Sequence, residues 1–134
     1  MIREAFGQAD KSMADFVDMM ADKKWIEARV LPHKRNGAYC TGFSKSRTPR
    51  VFMTYMGSNS DISTLAHELG HAFHGWVMKD LPRSQIHYPM TLAETASIFS
   101  ETLLHDALLN KAQTREEKIE FAWGEIEGAA SFLL

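Results

Sequence analysis

His67-Glu68-Leu69-Gly70-His71 is the stretch of this chain whose residue types and spacing could do chemistry. On a helix, residues four apart stand one above the other, so His67 and His71 present two imidazoles on one face and can share a single metal ion. Glu68, one step round from His67, points beside that ion and is placed to take a proton from a water held there. This is the H-E-x-x-H pattern of zinc hydrolases. The donors must be histidine and carboxylate, because Cys40 is the only cysteine and no multi-cysteine zinc site can be built. A lone histidine on an apolar helix reads better as a core side chain satisfied by its neighbours; two of them with a glutamate between read better as a metal site.

A catalytic zinc takes three protein ligands and leaves one position for water. His74 continues the stripe, but it lies about 4.5 Å further along the axis than His71, past the metal, and suits the cleft wall or a place behind the ligands. Glu94 follows His71 by 94−71=23 residues, enough to leave one helix, cross a loop and return on a second with a carboxylate opposite the imidazoles. Thr91-Leu92-Ala93-Glu94 is also a capping box, in which Glu94 would only cap its own helix. The ligand reading is preferred because Ser97 and Glu101 extend the polar stripe along a helix that should be buried. Glu101 lies two turns beyond Glu94 with about 20° of drift, placed to orient a ligand imidazole from behind, and His105 carries the stripe one turn further.

The elements that must position these groups follow from hydrophobic period. Ile62, Leu65, Ala66, Leu69, Phe73, Trp76 and Val77 recur at helical spacing through Ser60–Met78, leaving the histidines on another stripe. A second helix is expected from about Thr91 through Asn110, and a third from Thr114, capped by Thr114 with Glu117 three residues on. Upstream, Ile2 to about Ala28 reads as one amphipathic helix, ended by Pro32 and the basic Lys34-Arg35-Asn36-Gly37 turn. Ala38–Phe43 and Arg50–Met56, rich in aromatic and β-branched residues and joined through Pro49, predict a hairpin before the metal helix. A strand beside an active-site helix can pair with an extended peptide through its main chain.

With 134 residues, 45% hydrophobic and 24% charged, the chain has the balance of one ordinary domain. A formal charge of −2 asks for neither nucleic acid nor an anionic membrane surface. The sequence contains no apolar run of the roughly 18 residues needed to cross a bilayer, and Met1-Ile2-Arg3-Glu4-Ala5 lacks the apolar core of a signal peptide, so the cytoplasm is the expected setting. Cys40 is expected to be a half-buried strand residue, and the eight methionines to fill core gaps.

Gly37-Ala38-Tyr39-Cys40, then Asp61 through His74, then Pro89 through Ser97 with Glu101, resemble the catalytic core of oligoendopeptidase F-type zinc peptidases, relatives of thimet oligopeptidase. The likeness runs from about Arg35 to Leu109. By that resemblance His67 and His71 correspond to the first two zinc ligands, Glu94 to the third, Glu68 to the general base, and Ala38, Tyr39 and Cys40 to the cleft edge that receives substrate. It implies a mainly α, zincin-like (gluzincin) catalytic subdomain, with a short β-hairpin before the metal-binding helix, one zinc per chain, and short peptides as substrates. Members of that family are several times longer, and the tyrosine and histidine that stabilise their oxyanion lie downstream of the motif. Residues 1–134, ending in the apolar Ala129-Ala130-Ser131-Phe132-Leu133-Leu134, are therefore expected to form one subdomain of a longer protein, weakly active alone, whose exposed apolar faces could also pair copies of the chain. The rival expectation is a zinc-binding fragment or assembly module with little turnover.

Overall fold

The computed structural model describes the backbone of residues 1–133 and the side chains of residues 1–130. Phe132, Leu133 and Leu134, on which the expectation of an interrupted fold partly rests, lie outside the described side chains. The elements run α1 (Ile2–Ala9), α2 (Lys11–Asp22), β1 (Ile26–Glu27), β2 (Ala38–Phe43), β3 (Thr48–Met53), α3 (Asn59–Val77), a 3-10 turn (Arg83–Gln85), α4 (Met90–Lys111) and α5 (Arg115–Leu133). The protein is mainly helical with one small sheet.

The single N-terminal helix expected from the periodicity is two. Asp10 is extended, with φ −155° and ψ 130°, and its carboxylate accepts a hydrogen bond from Ser12 N, so it caps α2 and breaks the chain where the apolar spacing alone continues. Helix also stops at Asp22 instead of Ala28. Ile26 and Glu27 leave it to pair parallel with Val51 and Phe52, which makes the expected hairpin part of a three-stranded sheet in the order β1-β3-β2. β2 and β3 are antiparallel, with Cys40 opposite Val51, and β3 begins at Thr48 and ends at Met53, two and three residues earlier than expected at its two ends. Val51 and Met53 point into the core while Arg50 and Phe52 face away, the alternation of a half-buried strand. Gly37, with φ +110°, turns the chain into β2 in a conformation that other residues rarely adopt.

The basic turn before β2 is not all solvated. The Lys34 side chain is only 4% exposed; its Nζ donates to Met53 O at 2.5 Å and Arg29 O at 2.8 Å and sits 4.3 Å above the Phe52 ring. One ammonium thus ties the loop after β1 to the end of β3.

α3 starts at a reciprocal cap. Ser58 Oγ accepts from Asp61 N, and Asp61 accepts in return from the amides of Ser58 and Met56, which leaves fewer unsatisfied donors at the helix start. Its apolar stripe packs Ala66, Leu69 and Ala72 into a core shared with Phe6, Phe16, Met20, Val51 and Leu104. Phe16 stands edge-on to Phe73 at 5.4 Å, and Trp25 lies 6.1 Å from Trp76. α3 is held between β2 and β3 on one flank and α4 on the other. At Gly70 the two helices meet so closely that a Cβ would lie 2.8 Å from the Ala96 carbonyl oxygen and 2.6 Å from Ser100 Oγ. α5 is capped as the sequence predicts: Thr114 Oγ1 accepts from Glu117 N, and Glu117 accepts from the amides of Gln113 and Thr114. Ile98 and Phe99 on α4, and Ile119, Trp123 and Ile126 on α5, stay exposed.

Candidate functional site

α3 and α4 run side by side with their polar stripes facing each other, and contacts cross between them turn by turn. His71 faces Glu94, His67 faces both Glu94 and Glu101, and Ser63 faces His105. His67 Nε2 and His71 Nε2 are 3.1 Å apart, with the rings nearly perpendicular at 85°. Glu94 Oε2 lies 3.4 Å from the first nitrogen and 3.7 Å from the second.

These spacings are those of ligands round one ion. Donors about 2.0–2.2 Å from a tetrahedral zinc stand roughly 3.3–3.6 Å from one another, and the three observed separations bracket that range. Among the described residues His67, His71 and Glu94 are the group that could hold a metal. Glu94 does not cap its own helix: α4 begins at Met90 after Pro89, with no side-chain cap, so Thr91 is already helical. The Glu94 carboxylate turns instead toward the imidazoles and accepts from Ser97 Oγ at 2.9 Å, a hydroxyl that is fully buried.

His67 Nδ1 lies 2.5 Å from Glu101 Oε1. A proton on Nδ1 donated to that carboxylate leaves the Nε2 lone pair aimed at His71 and Glu94, the tautomer a metal needs. The same hydrogen bond raises the His67 pKa above the usual histidine value, against the opposing effect of burial. His71 is shifted the other way, downward, by burial first and by His67 second, which favours a neutral ring. Binding a metal to this pair must release whatever proton His67 holds on its ligating nitrogen.

Glu68 is buried at 7% exposure beneath β2. Burial raises its pKa, while His67 and the Cys40 main chain beside the carboxylate pull it back. A carboxylate moved up toward neutrality is suited to accepting a proton and giving it away again. Cys40 shares this environment: burial first and the Glu68 charge second push its thiol to about 12. Cys40 is half-buried, as a strand residue should be, and a thiol held protonated in this way is a poor nucleophile.

β2 is an edge strand, paired to β3 on one side only. Its other side opens on a cleft of about 700 Å³, lined by Ala38, Tyr39 and Cys40 together with His67, Glu68, His71 and Glu94. His74 stands apart from the three-residue group. Its ring lies 4.4 Å from Tyr88, its Nδ1 is buried without a hydrogen-bond partner, and burial lowers its pKa, so it supports the loop ahead of α4. Tyr88 and His87 line the cleft from that loop.

Sequence reasoning missed Ser63, whose Oγ lies 2.6 Å from His105 Nε2. Ser63 is four residues before His67, so the spacing that pairs the histidines could have found it. Gly70 was also passed over, though a glycine inside a helix at the centre of a motif signals a close approach. Every polar group described here except His105 comes from within one uninterrupted stretch, residues 38 to 101, and His105 extends it by only one helical turn.

The sequence matches the pattern of Peptidase family M3 over residues 10–129. It is 33% identical over 98 residues to the chromosomal oligoendopeptidase F of Lactococcus lactis subsp. cremoris, an alignment that covers 72% of this chain and 16% of the relative. It is 30% identical over 108 residues to the oligopeptidase PepF of Bacillus subtilis (strain 168), covering 80% of this chain and again 16% of the relative. The chain thus spans about one sixth of the length of these relatives. Its fold superposes on PZ peptidase A, solved with an inhibitor, with a TM-score of 0.81 at 20% identity, over 98% of this chain and 23% of that one. A family pattern that extends over nearly the whole chain, two relatives near one-third identity and a shared backbone lead to one assignment: the chain belongs to Peptidase family M3.

Proposed function

We propose that this chain is the zincin-like (gluzincin) catalytic subdomain of a longer zinc-dependent endopeptidase that hydrolyses short peptides in the cytoplasm. The observation that carries the reading is the convergence of His67, His71 and Glu94 at ligand spacing, with Glu68 beside them under an edge strand. His67 Nε2, His71 Nε2 and Glu94 Oε2 would hold one zinc per chain. When bound, the ion would polarise the scissile carbonyl and acidify a water. The chain's own groups do the rest. Glu101 holds His67 in its ligating tautomer through Nδ1, and Ser97 fixes the Glu94 carboxylate. Glu68 takes the water's proton on its carboxylate and delivers it to the leaving amine nitrogen. The free edge of β2 at Ala38–Cys40 pairs with the extended substrate main chain and lays the scissile bond over α3.

The relatives' names, an oligoendopeptidase and an oligopeptidase, support peptides as the substrate class. The test is turnover of a quenched fluorescent peptide of about eight residues, with and without chelator, by the wild type and Glu68→Gln. Loss of turnover on chelation and a drop on the order of a hundredfold or more in Glu68→Gln are expected. Turnover that survives both treatments would rule the mechanism out. Turnover by neither, with zinc still bound, would favour the rival reading of a zinc-binding assembly module.

A further inference from the structure

The cleft is charged unevenly along its length. Its acidic lining residues, Glu68 and Glu94, both lie at the end with the paired histidines. At the other end, past Gly75 and Met78, it is lined by Arg47, Lys79 and Arg83. These three cations come from different elements, namely the turn between β2 and β3, the turn after α3, and the 3-10 turn. Arg47 ties the first of these elements to the second, for its Nη1 donates to Lys79 O at 2.6 Å and to Leu81 O at 2.8 Å. Those acceptors fix the guanidinium in place but are neutral carbonyls, so its positive charge stays uncompensated by them. Lys79 pairs with Asp80, whose side chain is 87% exposed, and its ammonium also lies 4.7 Å from the Trp76 ring centroid. An exposed pair of that kind offsets little of the lysine's field.

We propose that this end of the cleft is a carboxylate-binding subsite that sets which peptides the site prefers. The proposal rests on the peptidase reading and adds to it a substrate class: peptides carrying an acidic group at a fixed distance from the scissile bond. That distance follows from α3. Lys79 is eight residues beyond His71, about 12 Å at 1.5 Å per residue. An extended peptide lying along β2 covers about 3.3 Å per residue, so the cations meet the third or fourth residue from the bond being cut. A carboxylate there would come from an Asp or Glu side chain or from the peptide's own C-terminus, since both present the same two-oxygen anion to arginine. Three cations in a concave, partly apolar cleft attract that anion more strongly than scattered surface charges do.

The test is binding, read by fluorescence anisotropy with zinc-loaded Glu68→Gln protein, so that no turnover is needed. The probes are labelled nine-residue peptides with Glu or Gln at the third and fourth positions either side of the centre, each with a free or an amidated C-terminus. Expected is a three- to tenfold tighter binding of the acidic member of at least one pair at low salt. That preference should shrink toward unity at roughly 1 M salt, where screening falls to about 3 Å, and vanish in a Lys79→Ala, Arg83→Ala double variant. Arg47 is left intact because it holds the hairpin to the end of α3. Sensitivity to Glu→Gln alone identifies a side chain as the bound group; sensitivity to amidation alone identifies the chain terminus. Equal binding of all peptides, no binding of any, or a preference unchanged in the double variant would overturn the inference. Wild-type turnover is measured beside it: a charge preference in binding without any turnover would defeat the peptidase reading and leave the carboxylate subsite standing.

Discussion

Replacing Gly70 with alanine isolates the helix contact that spaces the candidate ligands. A methyl group at this position would sit 2.8 Å from the Ala96 carbonyl oxygen and 2.8 Å from Ser100 Cβ, where ordinary contact begins at 3.4 Å. The Ala96 oxygen is main chain and cannot rotate aside, so α3 and α4 must separate by about 3.4−2.8=0.6 Å. Alanine is the better helix former by about 1 kcal/mol. Overpacking a tight interface costs about 1–3 kcal/mol, and here the rigid partner puts it at the upper end. The net is a loss of about 1–2 kcal/mol, or a melting temperature lower by about 4–8 °C. The larger effect is on metal. Glu94 and Glu101 ride on α4 and both histidines on α3, so the separation opens the ligand set by about three times the ±0.2 Å that a zinc site tolerates. Zinc affinity should fall on the order of ten- to a hundredfold, measured by competition with a chromophoric chelator beside a thermal melt followed by circular dichroism. A Gly70→Ala protein with unchanged zinc affinity and an equal or higher melting temperature would refute the reasoning, because helix propensity would then have won and the close approach would not govern the site.

Glu101→Gln should weaken zinc binding about ten- to a hundredfold while leaving the fold intact, since a neutral amide orients His67 less firmly; the chelator competition reads it, and unchanged affinity would mean that His67 is held by packing alone. Cys40 should alkylate slowly in the folded protein. With its thiol at about 12 against an ordinary 9.0, the thiolate fraction at pH 8 is lower by roughly a thousandfold. The sign follows from the raised value: the folded state favours the protonated thiol, reactivity climbs as pH rises toward 12, and the stability tied to that proton, complete below the unfolded value, is lost over the same climb. Iodoacetamide labelling followed by mass spectrometry, native against denatured, checks it, and equal rates at pH 8 would contradict the burial. Lys34→Met should cost about 2 kcal/mol in urea denaturation by leaving the Met53 and Arg29 carbonyls without their ammonium donor.

The elements near the site were legible because each carries its own local signal. Ser58 to Val77 shows a cap, an apolar stripe and a histidine pair at helical spacing, and the observed α3 differs from the sequence reading by one residue at either end. α4, read as Thr91 to Asn110, runs from Met90 to Lys111. The N-terminal helix was misjudged where one side chain outweighed the pattern, for Asp10 caps α2 without interrupting the apolar period. β1 escaped notice because two residues carry no period at all; Ile26 and Glu27 become a strand only by pairing with β3. Glu94 was ambiguous for a related reason. A capping box and a ligand share the same letters, and only the start of α4 at Met90 separates them. Lys34 carried no sign of its burial because a basic turn shows no period, and one of its carbonyl partners, Met53 O, is 19 residues away in the chain.

The confinement of the site to residues 38 to 105 bears on how such a protein can change over evolutionary time. Hairpin, helix, loop and helix follow one another with short connections, so bringing the histidines to the carboxylates closes no long loop and costs little chain entropy. Segments could be spliced in ahead of Ala38 or beyond His105, or exchanged there, without parting any of the polar contacts that cross between α3 and α4. A centre built this way is portable: it can keep its chemistry while the walls around it diverge in length and shape, and the range of peptides admitted would then drift independently of the reaction performed on them.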